Sequence, residues 1–328
     1  MADVAVTGAT GFIGSAVVRL LLDQKRSVRA LIEPGANTKN LDGLNVERIT
    51  VDVCDTKAMT RALSGCESLH HLAAVYRTWL PDREIIYRVN LEGTTATLLA
   101  AQANKLKRVV YTSSIAAIGL VEGGLADETT QFNLFDVAND YILTKWASER
   151  IAMRFAESGM PIVVVNPAFP FGPRDIAPTP TGKIILGVLK GEVPGVFPGG
   201  ICTIDVDDCA MGHLLAEEKG KVGERYILGN ENVTLKEFFT LVAKVGGVRA
   251  PAIPLPGVLG RAIAFGMEAW ADNVSHKEPP ATYKAASYAM RTAHFSNAKA
   301  KRELGLETRP IEESVRRAIE WFRANDMV

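Results

Sequence analysis

Val4-Ala5-Val6-Thr7-Gly8-Ala9-Thr10-Gly11-Phe12-Ile13-Gly14 stands at the head of the chain, and its pattern decides the fold. Val4 to Val6 is a short apolar run, as in a parallel strand buried on both faces. Three glycines follow as Gly8-x-x-Gly11-x-x-Gly14. From Phe12 onward apolar residues recur at helical spacing, at Val17, Val18, Leu21 and Leu22. Strand, glycine turn and helix are the context a dinucleotide site needs. Gly8 permits the tight turn, Gly11 lets backbone approach a pyrophosphate, and Gly14 lets the helix pack on the strand. Free N–H groups of the first helical turn then face the anion. The same spacing also suits a strand-to-helix turn that binds nothing. Its place before a series of further strand–helix units favours the ligand site.

Alternation continues downstream. Apolar runs at 28–32, 46–53, 69–74, 108–112 and 162–165 predict strands, and helical patterns lie at 56–63, 84–104 and 141–158. Such alternation predicts an α/β fold, a doubly wound Rossmann-type parallel sheet with ligands outside the carboxyl ends of the strands. After Pro167 the texture changes. The stretch 169–200 is rich in proline and glycine, 205–218 returns to a strand end and helix, and 234–245, 258–270 and 311–323 read as helices. Two units are expected: a dinucleotide-binding domain of residues 1–166 plus about 203–230, and a smaller, mostly helical substrate lobe of 167–202 and 231–328.

Composition bounds the function. The chain has 328 residues, 47% hydrophobic and 23% charged, with zero formal net charge. That is a globular composition with ample core, and nothing in it favours nucleic acid. Four cysteines form no CxxC pair and five histidines are scattered, so no metal site is expected and free thiols in a reducing cytoplasm fit best. Asp3 and the glycines occupy the place of a signal peptide's basic and apolar start, and no run reaches 18 apolar residues, so no membrane span is expected. The helix 258–270 carries Arg261 and Glu268; packing between lobes is favoured over membrane contact.

Tyr141-Ile-Leu-Thr-Lys145 opens a helix, and a spacing of four puts both side chains on one face. A free tyrosine, with pKa ~10, is a poor acid–base group at neutral pH. A neighbouring ammonium favours the phenolate and lowers that value. The pair can then pass a proton to or from a substrate oxygen. At the end of the fifth strand, Ser113 and Ser114 each offer a hydroxyl that can orient the same oxygen, and the residues alone barely separate them.

These motifs resemble the short-chain dehydrogenase/reductase superfamily, and Thr7 to Gly14 looks like its extended branch. The resemblance covers nearly the whole chain and is nearest to dihydroflavonol-4-reductase-like proteins, including those labelled hopanoid-associated sugar epimerases. It implies a Ser114–Tyr141–Lys145 triad, because the hydroxyl lies five residues before Gly119. Gly8, Thr10, Gly11, Phe12, Ile13 and Gly14 would hold the pyrophosphate. Asp52 and Val53 would meet adenine; Leu72, Ala73 and Ala74 would line the cofactor after the fourth strand, and Pro167 would close it. Lys145 would also bind the nicotinamide ribose beside Tyr141. Asn90-x-x-Gly-Thr94 and the tail 295–305 match family segments. The resemblance further implies a homodimer through helices 84–104 and 141–158, for which Leu98, Leu99, Ile151, Met153 and Phe155 look surplus to one sheet face.

Asn166 and Phe169 stand where sugar-nucleotide relatives often carry an Arg and an Asn, and Ile115 and Ala116 replace the Asp-Glu of dehydratases. A ketone/secondary alcohol oxidoreductase is therefore expected. A nucleotide-sugar epimerase with tightly held NAD is the alternative; a cofactor-sensing regulator without chemistry fits less well with an intact triad. Tyr76, Ser114 and Phe169 are the candidate substrate contacts, with Trp79, Phe132, Phe135 and Phe171 in loops nearby and Arg77 and Arg174 as possible anion ligands. His70, His71 and His213 read as core or surface residues. Glu33 ends the second strand where a carboxylate accepts from ribose hydroxyls and an arginine would accommodate a 2′-phosphate. NAD is expected in preference to NADP, with Arg29 pointing elsewhere and Lys39 in a flexible-looking loop.

Overall fold

A computed structural model describes residues 2–328. In chain order its elements are β1 (Val4–Thr7), α1 (Phe12–Asp23), β2 (Val28–Ile32), β3 (Glu47–Thr50), α2 (Thr56–Ala62), β4 (Ser68–His71), α3 (Glu84–Tyr87), α4 (Gly93–Ala103), β5 (Arg108–Thr112), α5 (Asp140–Glu157), β6 (Ile162–Pro167), β7 (Phe169–Phe171), α6 (Pro180–Leu189), β8 (Gly200–Asp205), α7 (Val206–Lys219), β9 (Arg225–Leu228), β10 (Asn232–Thr234), α8 (Leu235–Gly246), α9 (Gly257–Trp270), α10 (Tyr283–Ala289), β11 (Thr292–Ala293) and α11 (Ile311–Ala324). One sheet has the order β3-β2-β1-β4-β5-β6-β9, every pairing parallel. The winding direction reverses between β1 and β4, which opens a crevice at their carboxyl ends.

Period-two alternation distributes the strand residues. Val4 and Val6 face α1 and α7 with Val17, Leu21 and Leu214, while Ala5 joins Leu69, Leu98 and Tyr111 on the opposite face. Likewise Ile162 and Val164 pack on one side, Val163 and Val165 on the other. Burial on both faces explains why these strands read as unbroken apolar runs. Fully burying each such side chain is worth about 1.5–3 kcal/mol, so the sheet holds the crevice rigidly.

A second, mixed sheet centres on β8, with β7 and β11 parallel to it and β10 antiparallel. Its core is Phe171, Ile185, Phe238, Val315 and Phe322 from α6, α8 and α11. Buried Asp205 caps α7 and takes Arg317 at 2.8 Å, and Asp208 takes Arg309 at 2.7 Å. These ion pairs tie α11 and its lead-in to the start of α7.

Several boundaries differ from the sequence pattern. The stretch 46–53 forms a strand only over Glu47–Thr50. The apolar run 69–74 leaves the sheet after His71, because the Thr7 hydroxyl captures the backbone N–H groups of Leu72 and Ala73, both at 3.1 Å. The helix expected at 84–104 is broken by a π-turn at Arg88–Glu92, which points Asn90 inward. The proline-rich stretch conceals β7 and α6: Thr179 caps α6 and Pro180 takes its first position, where a missing N–H costs nothing. Only Gly260 and Ala264 of α9 are buried, whereas Val258, Phe265 and Trp270 are more than 60% exposed. The helix therefore does not bury its large residues between lobes; Gly260 approaches Phe197 and Met290 so closely that its small face makes the contact. Leu98 is wholly interior, Ile151, Met153 and Phe155 pack partly on the same core, and Leu99 is exposed. No helix among the described residues is long and apolar enough to cross a membrane.

Thr7→Val keeps the shape of the β1 end but strands two N–H groups. The expected loss is about 2–6 kcal/mol, at about 1–3 kcal/mol for each of the two unsatisfied groups. A urea midpoint equal to wild type would show that the hydroxyl does not hold the segment.

Candidate active site

At the crevice the chain turns so tightly that side chains are excluded. Gly8 has φ +64°, and a Cβ there would lie 2.9 Å from the Ala73 nitrogen. A Cβ on Gly14 would lie 2.0 Å from the Gly8 carbonyl oxygen. Gly11, by contrast, would meet only that oxygen, at 3.2 Å, so the space above it is open. No side chain caps α1, whose first N–H groups are left to a ligand. This cradle fits a dinucleotide pyrophosphate. The Thr10 carbonyl accepts from Asn40 Nδ2, which braces the loop. Phe12, Ile13 and Leu72 pack half-buried beneath it.

Around the same crevice stand the other expected contacts. Glu33 lies exposed just past β2. Asp52, beyond β3, accepts from Cys54 N–H and from Arg88, which hold its carboxyl below the usual range. Val53 packs against Gly93 at the start of α4. Arg29 turns away: it is bonded to Glu47 and to the carbonyls of Ala62 and Ser64. Lys39 is exposed but begins an ordered 3-10 turn, Lys39–Leu41, which buried Asn40 anchors; the flexible loop expected there is absent.

Asn139 caps α5 by accepting from Ile142 N–H, which fixes the helix start beside β5. Lys145, Ser148, Glu149 and Ala152 then form its buried face. Lys145 is 4% exposed and donates to the Thr112 carbonyl at 2.7 Å. Burial pulls its pKa down to about 8, against the Glu149 carboxylate. Burial pushes the Tyr141 phenol up to about 12, and a hydrogen bond with Ser114 works the other way. Ser114, not Ser113, therefore faces Tyr141; the Ser113 hydroxyl is buried without a partner. The expected lowering of Tyr141 by Lys145 is not seen, because the ammonium is aimed at Thr112 and partial burial of Tyr141 raises the phenol instead.

Histidine geometry is structural. Thr7 Oγ1 accepts two backbone N–H groups, so its own proton goes to His71 Nδ1, 2.8 Å away, and the imidazole proton is assigned to Nε2. Burial and Lys145 bring the His71 pKa to about 3. His213 is likewise buried, against Thr112, and His70 pairs with Glu217.

Tyr76 packs against Tyr141 with centroids 4.7 Å apart and the rings tilted by 46°, and Phe132 shares the small apolar cluster beside Tyr141. Phe169, half-buried in β7, packs between two cores, and Phe171 lies against Phe238 inside one. Phe135 is exposed beside Trp146, and Trp79 donates to Asp272. Pro167 ends β6 in the interior. Arg77 is bonded to Glu278 and Arg174 to Asp207.

Glu149, Tyr288 and Asp175 escaped the sequence reading. Asn166 Nδ2 donates to the Ser114 carbonyl at 3.0 Å and to Glu149 at 2.6 Å, and Glu149 also takes Arg225. Glu149 stands one turn beyond Lys145 on the same face, and that spacing was available. Tyr288 of α10 packs beside Tyr141; nothing in its sequence neighbourhood signals this. Asp175 is buried, its pKa raised to about 6 by desolvation while Thr179 donates to it.

Residues 4–229 match the model of the NAD dependent epimerase/dehydratase family. A putative dihydroflavonol 4-reductase from Synechocystis sp. is 37% identical over 328 residues, covering 98% of this chain and 95% of its own length. Sterol demethylase protein B of Methylococcus capsulatus is 32% identical over 324 residues, covering 98% and 99%. The solved structure of gox2253 covers both chains fully, with TM-score 0.89 and 40% identity.

Burial of Lys145 has a pH signature. Below pH 8 the fold holds an ammonium in a dry site. As pH rises from about 8 towards the ordinary 10.5, the folded chain has released a proton that the unfolded chain still binds. Wild-type stability should therefore rise relative to Lys145→Met across that window, by roughly 3 kcal/mol at 1.36 kcal/mol per pKa unit. A stability difference that stays flat from pH 7.5 to 10.5 (the interval to be scanned at roughly 0.5-unit steps) would sink the assignment.

Proposed function

The chain belongs to the NAD dependent epimerase/dehydratase family, and from that premise we propose that it interconverts a ketone and a secondary alcohol with Ser114, Tyr141 and Lys145. The observation that carries this is that half-buried Tyr141, Ser114 and buried Lys145 come together at the carboxyl end of β5, two strands from the glycine cradle that follows β1. Gly8, Thr10, Gly11, Phe12, Ile13 and Gly14 would hold the pyrophosphate, with Glu33 at the adenosine ribose and Asp52 and Val53 at the adenine. Leu72, Ala73, Ala74 and Pro167 would wall the cofactor, and Lys145 and Tyr141 would take the nicotinamide ribose. When bound, the nicotinamide supplies or takes the hydride.

The chain's own groups manage the proton. Ser114 Oγ accepts from Ala116 N–H at 3.1 Å, which leaves its hydroxyl proton for an oxygen, that of Tyr141 at rest and that of the substrate when bound. A phenol with its pKa pushed up to about 12 is protonated at neutral pH, the form that gives a proton in ketone reduction. Lys145 spends one of three N–H groups on Thr112 and keeps two for a ribose. Asn166 and Glu149 hold the Ser114 backbone and balance Lys145.

An apolar or mixed substrate suits the cluster of Ala116, Ala138, Ile142, Phe132 and Tyr288 at Tyr141. A nucleotide-sugar diphosphate would need cations. Arg77 and Lys183 are paired with Glu278, Arg291 with Asp136, and Lys284 with the Ala138 carbonyl. That favours the reductase over the epimerase.

Tyr141→Phe should cut turnover by ~10²–10⁴-fold and leave NAD binding nearly intact. The assay is cofactor absorbance with a panel of ketones, secondary alcohols and nucleotide sugars. A variant retaining more than about a tenth of the wild-type rate removes Tyr141 as the acid. Product without net cofactor change means epimerisation instead.

Cofactor choice rests on Glu33. A carboxylate accepts from ribose hydroxyls and repels a 2′-phosphate. Arg29 is fully engaged elsewhere and is no rival. Apoprotein should bind NAD at least tenfold tighter than NADP, a difference of ~1.4 kcal/mol. Glu33→Arg should shrink or reverse that ratio; equal or tighter NADP binding by wild type would refute it.

A further inference from the structure

The outer face of α9 is apolar along its whole length. Val258, Leu259, Ile263, Phe265, Met267 and Trp270 are exposed, whereas the buried positions of the helix are the small residues Gly260 and Ala264. A surface helix of a globular protein does the reverse: it buries its large apolar residues and turns charge to water. The two charges of α9, Arg261 and Glu268, are half-buried. Spacings of three and four put them on one face with buried Ala264 and Ala271, away from the apolar side. The patch runs on past the helix, where Phe265 meets exposed Tyr283 edge-on with centroids 6.4 Å apart.

Charge around this face has one sign. From Arg249 to Arg291 the segment carries five Lys and Arg against three acids, in a chain of zero net charge. All three acids are engaged. Glu268 accepts from Tyr283 N–H, Asp272 from the Trp79 indole, and Glu278 pairs with Arg77 and Lys183. Lys284 and Arg291 are held by Ala138 and Asp136. The side chains of Arg249, Arg261 and Lys277 have no ion pair or hydrogen bond among the described residues. They stand before, on and after α9, so every unengaged charge of the segment is positive.

We propose that α9 docks the protein on an anionic membrane surface. The helix lies flat among the headgroups, with Phe265 and Trp270 at the acyl boundary and Arg249, Arg261 and Lys277 near lipid phosphates. Aromatic rings such as these favour that boundary. A second copy of this chain fits the face less well. With 14 residues α9 is about 21 Å long, and one helix face falls short of the ~800 Å² per partner of a stable interface. Cations at both ends would also oppose their own copies in either orientation. Docking is independent of the reaction, but it sets the membrane beside the candidate site, because α10 follows α9 and is clamped next to Tyr141.

Full-length protein is mixed with vesicles of phosphatidylcholine alone, or with about one-third phosphatidylglycerol, and bound protein is separated by flotation. Wild type should bind the anionic vesicles at least ~10-fold more tightly than the neutral ones, since each cation contributes about fivefold. Phe265→Gln/Trp270→Gln should weaken binding at least ~10-fold with an unchanged melting temperature, because both side chains already face water. Arg261→Gln/Lys277→Gln should weaken binding to anionic vesicles about tenfold or more and leave neutral vesicles unaffected. Wild type that binds neither vesicle, or both equally, overturns the proposal. Full binding by either double variant does the same. So does a melting temperature several degrees lower for Phe265→Gln/Trp270→Gln, which would place those side chains inside the fold. A wild-type dimer that this variant turns into a monomer, by light scattering, overturns it by assigning the face to a second copy. No substrate or cofactor enters the assay, so its failure leaves the reductase reading standing.

Discussion

Gly14 sits so close to the Gly8 carbonyl that no side chain fits between α1 and the turn before it. That contact sets the start of α1 directly over the carboxyl end of β1. From the other side Gly8 presses on the Ala73 backbone, so the same turn also positions the segment after β4. Thr7 completes the junction by binding the N–H groups of Leu72 and Ala73. Two strands and one helix are thus locked together within a few residues. The crevice is a by-product of this packing, and its open floor at Gly11 is where backbone donors and helix dipole act together.

The chemistry depends on a second kind of constraint, which is dryness. Lys145 is buried and Tyr141 partly so, and their pKa values move in opposite senses, one down towards neutral pH to about 8 and the other up to about 12. At neutral pH the Lys145 shift costs folding free energy, and the surrounding bonds offset part of it; the Tyr141 phenol is neutral there in both states. Lys145 has Thr112 and the face of the Tyr111 ring; Glu149 answers its charge and is itself answered by Arg225 and Asn166. Asn166 then ends on the Ser114 carbonyl, so the charge balance of α5 and the placement of the serine belong to one network.

The smaller lobe contributes position more than charge. Its ion pairs at Asp205, Asp208 and Asp207 hold α11 on α7, beside the nucleotide crevice. Through Lys284 and Arg291 it holds α10 over the start of α5. The cations that remain near Tyr141 are committed to carboxylates or carbonyls. An aromatic wall of Tyr76, Tyr288 and Phe132 is left around the phenol.

The glycine spacing, the apolar strand runs and the Tyr141–Lys145 spacing were legible in the amino-acid sequence because each is a local rule. A turn that excludes Cβ atoms, a strand buried on both faces and two residues on one helical face all lie within a few positions. Capping residues were equally local, yet Thr179 and Pro180 were lost among the other prolines around α6. What only the tertiary structure decided involves long separations. The family register already singles out Ser114 over Ser113, but the bond that holds its backbone, from Asn166, comes from 52 residues further along. Glu149 acquires its role from Asn166 and Arg225, far along the chain. Tyr288 reaches Tyr141 only because α10 folds back over α5. The burial that shifts Lys145 and Tyr141 is likewise a property of everything packed around them, since desolvation sums over neighbours that no short stretch of sequence contains.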